Sequence, residues 1–205
     1  MPDQYYTREP QSASKPIPCA FSYRGHTLRF TTDAGVFSKG ELDPGSRLLL
    51  DALPEQLSGD VLDMGSGWGA IGVTLAKTFP EARVTMADVN LRALGLCQEN
   101  LQANGCSATC LESDGFAALA DRQFDAVITN PPIRAGKQVI YKMFADAAAA
   151  LRPEGALYLV IRKQQGAESC EKYLKTLFAD VQRIARESGY WVLQATSPLP
   201  QGEES

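Results

Sequence analysis

Val61-Leu62-Asp63-Met64-Gly65-Ser66-Gly67-Trp68-Gly69 is the stretch on which the fold turns. Val61 to Met64 is a short apolar run broken by one carboxylate, and three glycines at alternate positions follow it directly. A run of this kind bounded by glycine reads as a buried strand ending in a tight turn. Gly69 to Thr78 then has helical spacing, and the alternation continues. Arg83 to Ala87 reads as a strand, and Asn90 to Ala103 as a helix capped by Asn90 and stopped by Gly105. Ala108 to Leu111 and Phe124 to Thr129 read as further strands, and a helix over Val139 to Leu151 leads to a strand over Leu157 to Ile161. Short apolar strands separated by helices imply an α/β fold with a parallel sheet covered on both faces. The end of the chain differs. After a helix over Ala167 to Phe178, Val181 to Arg186 and Tyr190 to Ala195 flank Glu187-Ser188-Gly189 with no helix between, which predicts a C-terminal antiparallel hairpin closing the sheet.

Ahead of the glycine turn, Phe21 to Arg24 and Thr27 to Phe30 alternate around Gly25-His26 as an N-terminal β-hairpin, and Asp43 caps a helix that Pro44 begins. Residues 1–20, with Pro2, Pro10, Pro16 and Pro18 among polar neighbours, read as an extended arm, and residues 21–199 as a single domain. The 205 residues suit one core, and 44% hydrophobic with 21% charged residues is ordinary globular composition. No apolar run approaches the roughly 18 residues of a membrane span, and Met1 to Tyr5 lacks the basic patch and apolar core of a signal peptide. The expected location is therefore cytoplasmic. Five cysteines without a Cys-x-x-Cys pair read as reduced thiols, and no metal site is expected. A net charge of −4 argues against unaided gripping of nucleic acid by a broad basic face. It leaves room for RNA held by a small local patch or presented by a ribosomal partner.

Two cofactor chemistries compete for the turn. Gly67-Trp68-Gly69-Ala70-Ile71-Gly72 also satisfies the dinucleotide pattern G-x-G-x-x-G, with Asp88 about 20 residues on. Asp63 tilts the balance: a carboxylate beside the turn repels a pyrophosphate and favours the sulfonium and ammonium of S-adenosylmethionine. Gly65, Gly67 and Gly69 would let the backbone approach the methionine portion closely. Asp88 is placed to accept both ribose hydroxyls, and Asp114 to accept from the adenine amino group. The competing bland reading is a plain turn, with Asp88 and Asn90 only capping the next helix.

Asn130-Pro131-Pro132 follows the strand Phe124 to Thr129, so a parallel sheet puts it on the same carboxyl edge as the glycine turn. Two prolines stiffen the turn, and the Asn130 side chain with the Pro131 carbonyl offers two acceptors. An amine conjugated to a ring is a poor nucleophile. Two acceptors can hold its hydrogens and aim its lone pair at a methyl group, so catalysis is mostly alignment by Asn130, Pro131 and Pro132.

With these residues in view, the chain resembles the methyltransferase small domain group of class I S-adenosylmethionine-dependent enzymes, and most closely the catalytic half of the 16S ribosomal RNA guanine-N2 methyltransferase C family. The resemblance runs from about Tyr5 to Ser197. It rests on the run Phe30 to Ser38, on Leu42 to Leu49, on the glycine turn, on Asp88-Val89-Asn90 and on Asn130 to Lys137. It implies a Rossmann-like sheet, with Phe37, Ser38, Lys39, Val89 and Asn130 added to the cofactor pocket. It also implies methyl transfer to guanine N2 in 16S ribosomal RNA, with ribosomal RNA or the small ribosomal subunit as partner. Ile133, Arg134 and Lys137 would meet the substrate, and Lys142 and Arg162-Lys163 could touch phosphates. Long family members carry an additional N-terminal domain, so the expectation here is the short, stand-alone form. Ile133 also stands where adenine and glutamine amino methyltransferases carry an aromatic residue, which counts against those two chemistries; Phe37 and Tyr141 are the rings that could substitute or, equally, be core. The remaining alternatives are an N-methyltransferase of RNA adenine or protein glutamine, and a binding module that kept the fold and lost the reaction.

Overall fold

The computed structural model describes Arg8, residues 13–38 and residues 40–200. Lys39 and most of the expected arm lie outside the described residues. The chain opens with a hairpin, β1 (Ile17–Tyr23) and β2 (His26–Thr32), paired antiparallel from Ile17 opposite Thr32 to Tyr23 opposite His26. Arg24 at φ 44 and Gly25 at φ 79 form its turn, the paired positive φ of the tight hairpin type. The alternation read at Phe21 extends back to Ile17.

There follow α1 (Pro44–Asp51), β3 (Gly59–Met64), α2 (Ala70–Thr78), β4 (Ala82–Asp88), α3 (Leu91–Ala103), β5 (Thr109–Glu112) and β6 (Phe124–Thr129). The chain finishes with α4 (Lys137–Ala150), β7 (Leu151–Arg162), α5 (Ala167–Leu174), β8 (Phe178–Glu187) and β9 (Tyr190–Pro198). β3 to β9 form one seven-stranded sheet in the order β5-β4-β3-β6-β7-β9-β8. β3 to β7 run parallel, and β9 enters antiparallel between β7 and β8. This is the class I methyltransferase architecture. Strand order reverses between β3 and β6, and the crevice beyond their carboxyl ends is where such sheets hold ligands.

Period-two alternation divides the interior into two cores. Val61, Met86, Ile128 and Val160 face α1, α2, α3 and the hairpin, whereas Leu62, Val127, Leu159 and Leu193 face α4 and α5. Both faces are covered, which is why the central strands are apolar where they cross the two cores. Among the described residues no helix is long and apolar enough to cross a membrane.

Local chemistry places the boundaries. Gly69 sits at φ 91, so α2 starts one residue later than the periodicity suggests. The Asn90 side chain accepts from the Ala93 amide as the α3 cap. At the other end of α3, Gly105 N–H donates to the Gln102 carbonyl and Cys106 N–H to the Leu101 carbonyl, a glycine-terminated helix end. α5 stops at Leu174 rather than continuing to Phe178, because Phe178 is the first residue of β8, paired with Pro198 and buried in the second core.

The hairpin is tied to the C-terminal end of α3 by two side-chain amides. Asn100 Oδ1 accepts from Thr31 N–H at 2.7 Å while its Nδ2 donates to the Thr31 carbonyl at 3.0 Å; Asn104 repeats the exchange with Arg29 at 3.0 and 2.7 Å. One helical turn apart, the two asparagines pair the edge of β2 as a neighbouring strand would. Asn100 Nδ2 also donates to the Trp68 carbonyl at 2.8 Å, joining hairpin, α3 and glycine turn.

Candidate active site

A cavity of about 1340 Å³ opens at the carboxyl edge of the sheet. Its walls are the glycine turn, Asp88-Val89, Ser113 to Ala117, Asn130 to Ala135 and Val36 to Ser38. The two turns are held side by side: Thr129 Oγ1 donates to the Met64 carbonyl at 2.8 Å, tying the end of β6 to the end of β3. Gly65 and Ser66 N–H both donate to the Ala87 carbonyl, which fixes the turn on β4.

Gly65 and Gly67 have φ 72 and 54, and a Cβ on either would meet no heavy atom within 4 Å. Both line the cavity, so what a side chain would occupy there is open space beside bare backbone. Gly69 is different. It does not line the cavity, and a Cβ there would come within 2.9 Å of Val73 and 3.2 Å of Cys97. Its glycine serves the close packing of α2 on α3.

Asp63 also lies off the cavity wall. It is fully buried beneath the turn, and its Oδ2 accepts from Gly72 N–H at 2.7 Å in the first turn of α2. Burial pushes its carboxyl up to about 7, opposed by that N–H and reinforced by the charge of Asp88. Asp63 therefore shapes the turn from below.

Asp88 does line the cavity. Its Oδ2 accepts from Gly67 N–H and its Oδ1 from Asn90 N–H, each at 2.8 Å, leaving further lone pairs on both oxygens. Burial raises its pKa from the ordinary value, and the amides of Asn90, Gly67 and Val89 pull the other way. Val89 and Asp114 lie on the same wall.

Asn130 is oriented by α1. Its Nδ2 donates to Asp43 Oδ2 at 3.1 Å and to Ser46 Oγ at 2.9 Å. Its Oδ1 makes no hydrogen bond among the described residues and is not sealed from the cavity. The Pro131 carbonyl accepts from Ile133 N–H at 2.8 Å and keeps a lone pair.

Phe37 and Ser38 form a strap over the pocket. Trp68 Nε1 donates to the Phe37 carbonyl at 2.8 Å, and Asn90 and Arg92 donate to the carbonyls of Gly35 and Ala34. Ser38 holds the left-handed φ of 50, uncommon for a residue with a side chain and typical of functional turns. Ile133 and Arg134 line the outer part with Lys142 and Arg162. Lys137 does not line it: its ammonium lies 4.9 Å from the Tyr141 ring centroid. Lys163 is likewise not on the wall, and Tyr141 is stacked on Tyr173 at 4.0 Å between centroids.

Sequence reading missed Asp43, Ser46 and Tyr190 as site residues. Asp43 carried a visible signal, but it was a capping signal. The Asp43 side chain does accept from Ser46 N–H, and the same oxygen also faces Asn130. Tyr190 packs so tightly on Gly45 that a Cβ there would lie 2.7 Å from its ring, and Arg162 stacks over that ring at 4.5 Å.

Residues 27–194 match the methyltransferase small domain family. The chain belongs to that family. Within it, the chain is 40% identical to Bacillus subtilis "Uncharacterized protein YbxB", over 95% of this chain and 98% of that one. It is 33% identical to the "Ribosomal RNA large subunit methyltransferase G" of Photobacterium profundum, over 90% of this chain and 51% of the relative. Among solved structures, the T. thermophilus 16S rRNA N2 methyltransferase, determined with AdoMet and guanosine, superposes with a TM-score of 0.78 at 34% identity. That match covers 92% of this chain and 53% of the neighbour. The chain thus spans about half the length of these two relatives.

Proposed function

We propose that this chain transfers a methyl group from S-adenosylmethionine to the exocyclic N2 amine of a guanine in small-subunit ribosomal RNA. The observation that carries this reading is that one cavity holds both the bare glycine backbone at Gly65 and Gly67 and the Asn130-Pro131-Pro132 turn. Residues 21–199 act in this reading as a single catalytic domain.

The residues present fit the cofactor. Gly65 and Gly67 offer backbone without side chains, Asp88 offers unshared lone pairs for neighbouring hydroxyls, and Asp114 stands on the wall beyond for an amino group. Acidic rather than basic side chains meet the turn, which suits a cationic ligand better than a pyrophosphate. When bound, S-adenosylmethionine supplies an electrophilic methyl group on a sulfonium. The chain's own contribution is alignment. Asn130 Oδ1 and the Pro131 carbonyl accept the two amine hydrogens, which turns the nitrogen lone pair towards the cofactor. Pro131 and Pro132 fix the backbone that presents them. The methylated nitrogen is cationic and releases its extra proton to water, so no strong base is required.

Guanine is favoured over adenine and glutamine because the position after Pro132 is Ile133, which offers no ring, and because Tyr141 is stacked on Tyr173; Phe37 on the cavity wall is the ring that an adenine or glutamine substrate would have to use. Arg134, Lys142 and Arg162 at the mouth suit RNA phosphates beside an extruded base. A large-subunit site is the second reading, favoured by the relative named for that subunit, which aligns with 90% of the chain.

The test is methyl transfer from labelled S-adenosylmethionine to RNA and protein of each ribosomal subunit from a strain lacking the gene, followed by nucleoside analysis. The expected product is N2-methylguanosine in small-subunit RNA. Label in large-subunit RNA selects the second reading; label in methyladenosine or protein, or none anywhere, overturns both.

A further inference from the structure

We propose that Asp43 and Ser46, at the N-terminus of α1, are positioning residues that hold the Asn130 amide with its oxygen, and not its NH2 group, towards the acceptor amine. This rests on the methyl-transfer reading for its kinetic consequence, whereas the orientation itself stands on geometry. Both Nδ2 hydrogens of Asn130 have partners, Asp43 Oδ2 at 3.1 Å and Ser46 Oγ at 2.9 Å. An ionised carboxylate can only accept, so an amide turned over would set its oxygen against the Asp43 oxygen without a proton between them. The lock therefore has a sense: nitrogen towards α1, oxygen away from it. That oxygen makes no hydrogen bond among the described residues and belongs to a residue on the cavity wall.

The support behind the lock is rigid. Asp43 Oδ2 also accepts from Ser46 N–H at 2.9 Å, so the oxygen that caps α1 is the oxygen that orients Asn130. Tyr190 fills the space over Gly45, leaving no room for a Cβ and pressing the first turn of α1 in place. Ser46 is itself buried, so its hydroxyl has few alternatives to the Asn130 amide. The chemistry requires this orientation. The acceptor amine presents two N–H donors; an NH2 facing them would repel the substrate, whereas an oxygen holds it. Asp43 and Ser46 thus act on turnover through Asn130 and leave cofactor affinity alone.

Two readouts test this. Asp43→Ser keeps a good helix cap but is too short to reach Asn130, Ser46→Ala removes the second partner, and Asp43→Asn keeps an oxygen that can serve both contacts. In the ribosomal RNA assay, Asp43→Ser combined with Ser46→Ala should lower kcat roughly tenfold or more, the scale of one charge-assisted hydrogen bond, with the KM for S-adenosylmethionine and the thermal midpoint little changed. Asp43→Asn should restore most of the rate. Independently of any substrate, the Asn130 side-chain amide protons should exchange slowly in the native protein by NMR, and quickly in the double variant. Unchanged kcat, unchanged exchange, or a loss of cofactor affinity that parallels kcat would overturn the proposal, the last by making Asp43 a cofactor ligand. Should the double variant fail to fold, Ser46→Ala alone gives the same two readouts. Should the native protein methylate no RNA, the functional reading falls, and amide exchange still decides the orientation.

Discussion

Asp88 and Asp63 are carboxylates at the ends of adjacent strands, yet the structure gives them different work. Asp88 faces the cavity with lone pairs to spare. A charged hydrogen bond of this kind is worth about 1.5–3 kcal/mol, so Asp88→Ala should weaken S-adenosylmethionine binding about tenfold or more by calorimetry. Unchanged affinity would remove Asp88 from the cofactor site. Asp63 is sealed below, and its prediction concerns stability. The unfolded chain releases its proton near 3.8, whereas burial holds it to about 7 in the native state. Its contribution is therefore complete below the unfolded value and is lost as pH rises through about 7. Asp63→Asn keeps an acceptor for the Gly72 amide but has no proton to lose. Thermal unfolding should show the variant gaining on the native protein between pH 5 and pH 8; a constant difference would contradict the assignment. Sequence alone could place both carboxylates at the sheet edge. It could not separate them, because facing a cavity or a neighbouring helix depends on the strand's pleat and on how closely α2 approaches. The same holds for Gly65 and Gly69, which spacing treats alike and packing does not.

At the scale of elements, periodicity, caps and turns made nearly every strand and helix legible, since each is a local preference of the chain. What escaped was contact between distant elements. Nothing local around Asn100 and Asn104, whose amides pair β2, announces that a hairpin edge will meet them. Asn100 is buried and serves Thr31 and Trp68, so Asn100→Ala should cost about 2 kcal/mol or more by leaving buried backbone groups unpaired. The more exposed Asn104→Ala should cost less than about 1 kcal/mol. Urea unfolding checks both, and equal costs would show that the amide to Trp68 adds nothing. The α1 residues escaped for a related reason: a capping aspartate explains itself locally, and only the tertiary fold reveals its second partner.

For the whole molecule, net charge −4 and a few cations at one mouth set what the proposed RNA substrate would meet. Arg134, Lys142 and Arg162 would neutralise only a few phosphates, so the salt dependence of RNA binding should be shallow. Arg162→Ala should reduce the log–log slope by about one unit or less, weakening binding without changing the methylated base. A slope that stays the same would place RNA elsewhere. The fold exists to bring two turns together, one of bare glycine backbone and one carrying a locked asparagine. The most direct test is a crystal structure of the protein with S-adenosylmethionine bound. We predict the cofactor along Gly65, Gly67 and Asp88, with its methyl group facing the space in front of Asn130 Oδ1. A cofactor bound outside this cavity, or one whose methyl group points away from Asn130, would contradict the account.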